Sequence, residues 1–307
     1  MKTKNLAVVA LLTTAIIWGI TLPLMKVNLD TMPPLTIAFL RFSLAATIAL
    51  SFGGFDKLKF KDFLHIGFYS FFGITLSIGL LLIGLNMTTA INATILLTLS
   101  PIITSILAAF TLKEKINSMH ALGIFLAFLG VFIYLVVPEI ISQKFSRINV
   151  LGDLLILLAV LSAAIFTIGS KKLIASYHPG SISSVSFLVG AICFLPAAFF
   201  EYIQNPYWVN HISWFNIFSL IFLGVFSSFI AYSALEWALS KVDVHVDVTI
   251  GYLSTLIAIL IATTFLHEKI YFTTFILSSI LVGSGILLVS KNKPPGLHFH
   301  RRIHHNT

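Results

Sequence analysis

FLHIGFYSFFGITLSIGLLLIGLNMTTAINATILLTLSPIITSILAAFTL, residues 63–112, runs for fifty positions without one Asp, Glu, Lys or Arg. An α-helix rises about 1.5 Å per residue and the hydrocarbon core of a bilayer is about 30 Å thick, so one crossing takes about 20 residues. Fifty residues are too many for one passage and right for two. The polar group Asn86-Met87-Thr88-Thr89 near the middle is the one place where the chain can turn, which makes the stretch a helical hairpin in lipid.

Working outward, charge-poor segments recur at 5–25, 31–55 (interrupted by Arg41), 116–138, 154–170, 173–200, 202–235, 248–267 and 270–290, giving ten helices with the central pair. With 58% hydrophobic and 10% charged residues and a mean hydropathy of +1.00, the chain fits no soluble class. The first segment follows Lys2 and Lys4 but is longer than the roughly 7–15 apolar residues of a secretory signal, and it continues through Trp18-Gly19 and Pro23. It reads as a retained crossing.

Basic residues then set the orientation. Ten crossings with a cytoplasmic N-terminus place fourteen Lys and Arg inside and four (Lys26, Lys144, Arg147 and Lys269) outside. Both termini are therefore expected in the cytoplasm, with the protein in the cell (inner) membrane. The net charge of +8 is mostly this bias, which also suits anionic lipid and implies no nucleic acid. The one cysteine, Cys193, lies inside the seventh crossing and excludes disulfides.

Leu112-Lys113-Glu114-Lys115-Ile116 recurs 154 residues later as Leu266-His267-Glu268-Lys269-Ile270, each copy ending an apolar helix and preceding a glycine-bearing one. Each half holds five crossings, and an odd number inverts the second copy. The expected fold is all-α, polytopic, with ten transmembrane helices as two inverted five-helix repeats. Residues 1–140 form the first repeat, 150–290 the second and 291–307 a basic tail. The histidines of that tail, His298, His300, His304 and His305, read as a solvated end rather than a metal site.

Several of these features resemble the EamA-type branch of the drug/metabolite transporter superfamily. They are Trp18-Gly19 with Lys26 after it, Pro33-Pro34 before a helix bearing Arg41, Leu99-Ser100-Pro101 leading to Leu112-Lys113-Glu114-Lys115, Gly152-Asp153-Leu154 and Leu266-His267-Glu268. The resemblance covers nearly the whole chain and implies a ten-helix carrier for small metabolites, often an exporter. Two positions depart from it. Pro101 maps onto Thr255, so the second half lacks the helix-breaking proline, and Trp18 maps onto Ala163-Ala164.

Ionisable groups in hydrocarbon are costly unless they face a cavity or a partner, so they head the candidates. Arg41 sits about ten residues into the second crossing, where it meets a substrate or else reaches the interface or a structural partner. Glu236, with Ser228 and Tyr232 on one face of the eighth crossing, either exchanges a proton or binds an ammonium group, or pairs with Lys241. Asp243 is placed to cap the ninth helix, and Asp247, one turn deeper beside Ser254, faces the cavity. No metal cluster is expected from this run.

Thr14, Trp18, Thr21 and Met25 align on the first crossing, Thr75, Gly79, Leu82 and Asn86 on the third, and Asn92, Leu96, Leu99 and Ile103 on the fourth. The expected cavity lining is Trp18, Thr21, Arg41, Thr75, Asn86, Asn92, Tyr232, Glu236, Asp247, Tyr252 and Ser254, with Pro101 as hinge. Glu114 and Glu268 are expected to cap or pair at the turns into the next helix.

These readings point to a secondary carrier that exports a small amphipathic metabolite, an amino acid or drug-like compound, by alternating access. Its expected partners are that solute, membrane lipids and a coupled proton or cation, in a monomer or homodimer. Neither a catalytic residue nor a cofactor is expected. An intramembrane lipid-processing enzyme and a passive channel or flippase are the rival readings.

Overall fold

The computed structural model describes residues 2–52, 58–112, 117–142, 146–174, 176–239 and 245–291. The helices among them are α1 (Lys2–Leu29), α2 (Pro34–Ser51), α3 (Phe60–Ser70), α4 (Ser77–Met87), α5 (Ala90–Leu97), α6 (Ser100–Leu112), α7 (Ser118–Ser142), α8 (Arg147–Ile174), α9 (Pro179–Gln204), α10 (Trp214–Ile221), α11 (Ala231–Leu239), α12 (His245–Thr264) and α13 (Phe272–Lys291). Two π-helical turns, Phe71–Leu76 and Phe222–Ile230, fuse α3 to α4 and α10 to α11, and a 3-10 turn, Pro206–His211, follows α9. The described residues contain no strand.

Among the described residues, nine helices are long and apolar enough to span a bilayer, and α12 contributes the shorter apolar stretch Tyr252–Thr264 as the tenth. Polar contacts between helix ends fix their alternation. Lys26 near the end of α1 meets the end of α4, and Thr88 beyond α4 meets Asp153 near the start of α8. Glu268 beyond α12 meets the start of α5, and Glu201 near the end of α9 meets the start of α2. These ends share one face, here the distal face. On the proximal face, where α1 begins and α13 ends, Tyr177 just before α9 donates to Asp62 in the first turn of α3.

Helix neighbours reveal the two-fold relation. The pairs α2 with α9, α5 with α12 and α7 with α13 each join equivalent crossings of the two halves. The remaining large contacts come as exchanged partners: α4 packs on α8 as α1 packs on α11, and α8 packs on α6 as α1 packs on α12. Swapping the halves leaves this pattern unchanged. That is the packing of two inverted repeats.

Lipid supplies no hydrophobic drive between helices, so close backbone approach has to hold them together. A Cβ on Gly84 of α4 would stand 2.6 Å from the Gly152 carbonyl oxygen of α8, and one on Gly285 of α13 would stand 2.5 Å from the Gly123 carbonyl of α7. The outer surface is apolar, as lipid requires, and polar side chains are buried within the apolar core. Phe110, Phe125, Phe199 and Phe218 face outward, while Thr14, Asn28, Ser186, Asn216, Ser219 and Ser228 are buried.

Several boundaries differ from the sequence reading, and those of the seventh and eighth crossings bear on the packing. The seventh helix spans Pro179–Gln204, not 173–200, and the eighth begins at Trp214 rather than Tyr202. Continuing α9 to Gln204 carries Glu201 to the first turn of α2, a requirement invisible in apolar periodicity. Gly285→Ala forces a methyl into a helix contact, whereas a Cβ at Gly283 on the same helix meets nothing within 4 Å. Gly285→Ala is expected to destabilise the purified protein by about 1–3 kcal/mol and Gly283→Ala to be neutral, as read by thermal unfolding.

Candidate functional site

Arg41 lies in the middle of α2 and is 3% exposed. Its Nε donates to Ser228 Oγ at 2.7 Å, one terminal nitrogen donates to Ser227 Oγ at 3.0 Å, and the other meets the Met25 sulfur at 3.8 Å. The guanidinium carbon stands 5.2 Å from the centre of the Phe42 ring. No carboxylate pairs with it among the described residues. Each charge-assisted bond to a hydroxyl returns about 1.5–3 kcal/mol against an insertion cost on the order of 3 kcal/mol, so two serines suffice to hold the side chain there.

The first crossing presents Thr21 and Trp18 to the same serines. Thr21 Oγ1 donates to Ser227 Oγ at 2.8 Å, and Trp18 Nε1 donates to the Ser227 carbonyl at 3.2 Å. The Trp18 ring meets Tyr232 edge-on at 5.4 Å, Tyr232 meets Phe187 at 5.9 Å, and Phe187 stacks with Phe42 at 6.3 Å. A chain of ring contacts thus leads from Trp18 to Phe42, whose face meets the cation.

Ser227 and Ser228 belong to the π-helical turn Phe222–Ile230, whose wider winding points two consecutive hydroxyls at one guanidinium. Ser228 Oγ donates to the Leu223 carbonyl five residues back, at 3.0 Å. The matching turn in the first half, Phe71–Leu76, has its Phe72 carbonyl taken by Ser162 of α8 at 2.7 Å. Ser162 stands beside Ala163-Ala164, the pair aligned with Trp18. In each half a side chain from the other half's leading helix satisfies a carbonyl of the π turn.

A cavity of about 280 Å³ enters from the proximal face between the end of α2 and the start of α9, lined by residues including Ala49, Phe52, His178, Ser184, Phe187 and Ser233. A smaller pocket of about 20 Å³ continues inward past Ser183 and Phe187 to Ser186, Phe166, Ile74 and Tyr232. Tyr232 and Phe187 line it and pack on Trp18 and Phe42 respectively.

Charged side chains seal the distal face. Lys26 Nζ donates to the carbonyls of Leu85 at 2.8 Å and Thr88 at 2.7 Å, capping the end of α4. Glu268 accepts from the amides of Ala90 at 2.7 Å and Ile91 at 2.9 Å, capping the start of α5. The sequence reading had Glu268 securing the turn into its own next helix; it caps a helix of the other half instead. His267, at a left-handed φ of 53°, turns the chain so that this carboxylate reaches inward. Thr88 Oγ1 donates to Asp153 at 2.7 Å, and the Asn92 amide donates to Thr88 Oγ1 at 3.2 Å. Glu201 accepts from the amides of Leu35 and Thr36 and from the Thr36 hydroxyl at 3.1, 2.7 and 2.8 Å.

The structure thus brings Trp18, Thr21, Arg41 and Tyr232 together and puts Asn92 in the distal seal. Thr75 sits in the first π turn with a buried, unpartnered hydroxyl, and the buried Tyr252 hydroxyl of α12 is also unpartnered. Ser254 is half-buried on α12, its carbonyl against Gly19 of α1, while Asn86 is exposed at the end of α4. Pro101 lies just inside α6, beyond a break in which α5 stops at Leu97 and α6 starts at Ser100. Glu114, Asp243 and the tail lie outside the described residues, as do the side chains of Glu236 and Asp247. Sequence reasoning passed over Ser227, Ser162 and Glu201. Of these, only the serine pair at 227–228 in an apolar run gave a signal.

Among the described residues, ten apolar helices in two inverted halves, with a cavity at one face and contacts between the halves at the other, have the architecture of a membrane transporter. The description of the EamA-like transporter family matches residues 5–136 and 150–291. The chain belongs to that family. An uncharacterized transporter of Archaeoglobus fulgidus is 27% identical over 294 residues, 94% of this chain and 98% of the relative. The uncharacterized transporter YetK of Bacillus subtilis is 29% identical over 302 residues, 96% and 90% respectively. A protein of known crystal structure shares the fold with a TM-score of 0.63 at 14% identity, over 94% of this chain and 98% of its own.

A charged cap contributes about 1 kcal/mol to its helix. Glu268→Gln and Glu201→Gln are each expected to lower the unfolding temperature of the purified protein by an amount of that order. Unchanged transitions in both would show that the caps are screened by water.

Proposed function

We propose that the protein is a secondary carrier that exports a small amphipathic metabolite, an amino acid or drug-like compound, across the cell membrane by alternating access. One observation carries this reading: a cavity opens at the proximal face, while the distal face is closed by Glu268 and Asp153, which meet residues of the opposite half. A seal made between halves opens when the halves move against each other, and the same movement closes the proximal entrance. With fourteen Lys and Arg against four favouring a cytoplasmic proximal face, the cavity faces the cytoplasm, the loading side for an exporter.

Aromatic and hydroxyl groups dominate the pocket and its surroundings, which supports an apolar body with a polar end as cargo. A proton or cation entering as the solute leaves supplies the drive. In this reading the chain is a carrier, not an enzyme. The broken fourth crossing is its moving part, because Pro101 has no amide to give the Leu97 carbonyl and leaves α5 and α6 free to change their angle.

Reconstitution into liposomes tests this. Saturable uptake of labelled amino acids with counterflow from a preloaded lumen is expected, and flux without saturation or counterflow would make the protein a channel. Pro101→Ala is expected to lower the turnover several-fold with little change in half-saturation. An unchanged rate would reduce the break to a static bend.

A further inference from the structure

Arg41 holds more hydrogen-bonding capacity than its surroundings use. A guanidinium carries five N–H donors; one goes to Ser228, one to Ser227, and one to a thioether at 3.8 Å, a weak acceptor. Among the described residues the group meets two hydroxyls, a sulfur and the face of Phe42, and no carboxylate pairs with it. The side chain is 3% exposed in mid-membrane, so water does not neutralise it either. A fixed cation in this setting, with one N–H still unused on each terminal nitrogen, is matched by a planar anion.

The approach is built as well. The pocket that enters from the proximal face ends on Phe187 and Tyr232; Phe187 packs on Phe42, whose face meets Arg41, and Tyr232 packs on Trp18, which shares Ser227 with Arg41. A solute that displaces Tyr232 from this wall reaches the guanidinium with its polar end and leaves its apolar end among Trp18, Phe42 and Phe187.

We propose that Arg41 is the anchor for a carboxylate, and that the cargo is a carboxylate borne on a small aromatic or branched apolar body. The proposal rests on the carrier reading above and narrows it. Ser227 and Ser228 hold the guanidinium in place between cargoes, and the bidentate pair with the carboxylate replaces the Met25 contact when cargo arrives.

Phenylacetate, 2-phenylethanol and 2-phenylethylammonium, which share a ring and chain and differ in the end group, serve as probes on the full chain in lipid nanodiscs. Phenylacetate is expected to raise the unfolding temperature saturably, and the alcohol and the ammonium are not. In Arg41→Gln the shift should vanish, and in Arg41→Lys, which keeps charge but loses the fork, affinity should fall about tenfold. Counterflow of labelled phenylacetate in liposomes separates the two readings. Arg41-dependent binding without exchange upholds the site and counts against the carrier. Exchange that ignores the end group, or that survives in Arg41→Gln, upholds the carrier and overturns the site. Should Arg41→Gln fail to fold, equal shifts by phenylacetate and 2-phenylethanol on the unaltered protein overturn the proposal on their own.

Discussion

Hydrocarbon offers no partner to a backbone amide or carbonyl, so each interruption of a helix inside the bilayer must be answered by a side chain from elsewhere. This chain leaves backbone groups unmet both at π turns within its crossings and at helix ends on the distal face, and the answers come largely from the opposite half. Glu268 serves the amides that open α5, Glu201 those that open α2, Ser162 the Phe72 carbonyl and Trp18 the Ser227 carbonyl. Apolar packing against lipid-like neighbours adds little net drive. The two halves are therefore joined by unmet backbone groups and by the glycine contacts at Gly84 with Gly152 and Gly123 with Gly285.

The same economy builds the centre. Winding the eighth crossing into a π turn gives up regular helix bonding, and what it gains is a pair of adjacent hydroxyls facing one way and a carbonyl for the indole. Arg41 occupies the position those groups create. The third crossing carries the equivalent turn without an equivalent cation, so the two-fold relation of the backbone is broken at the level of side chains.

The crossings were legible because their cause is one-dimensional: a run of uncharged residues of bilayer length needs no partner to be recognised. The inverted halves were legible through the repeated Leu-x-Glu-Lys-Ile at 112–116 and 266–270 and the odd number of crossings in each half. Trp18, Thr21 and Arg41 stood out as polar residues on otherwise apolar helices. The π turns did not stand out, because Phe71–Leu76 and Phe222–Ile230 are apolar runs with no breaker beyond one glycine each. Glu201 was passed over for a different reason. A carboxylate near a helix end reads as an ordinary interfacial residue until the structure brings a distant helix start beneath it.

The fourth crossing is jointed at Thr98-Leu99, while its counterpart α12 runs unbroken from His245 to Thr264. Under the alternating access proposed above, an inverted pair with one hinged limb and one rigid limb stores unequal elastic energy in its two bent forms. Detailed balance still fixes the ratio of the forward and reverse constants, but the barrier is set by the stiffer limb whenever that limb must flex. A carrier of that kind is a lopsided spring, with unequal dwell times in its two orientations even when no gradient acts on it.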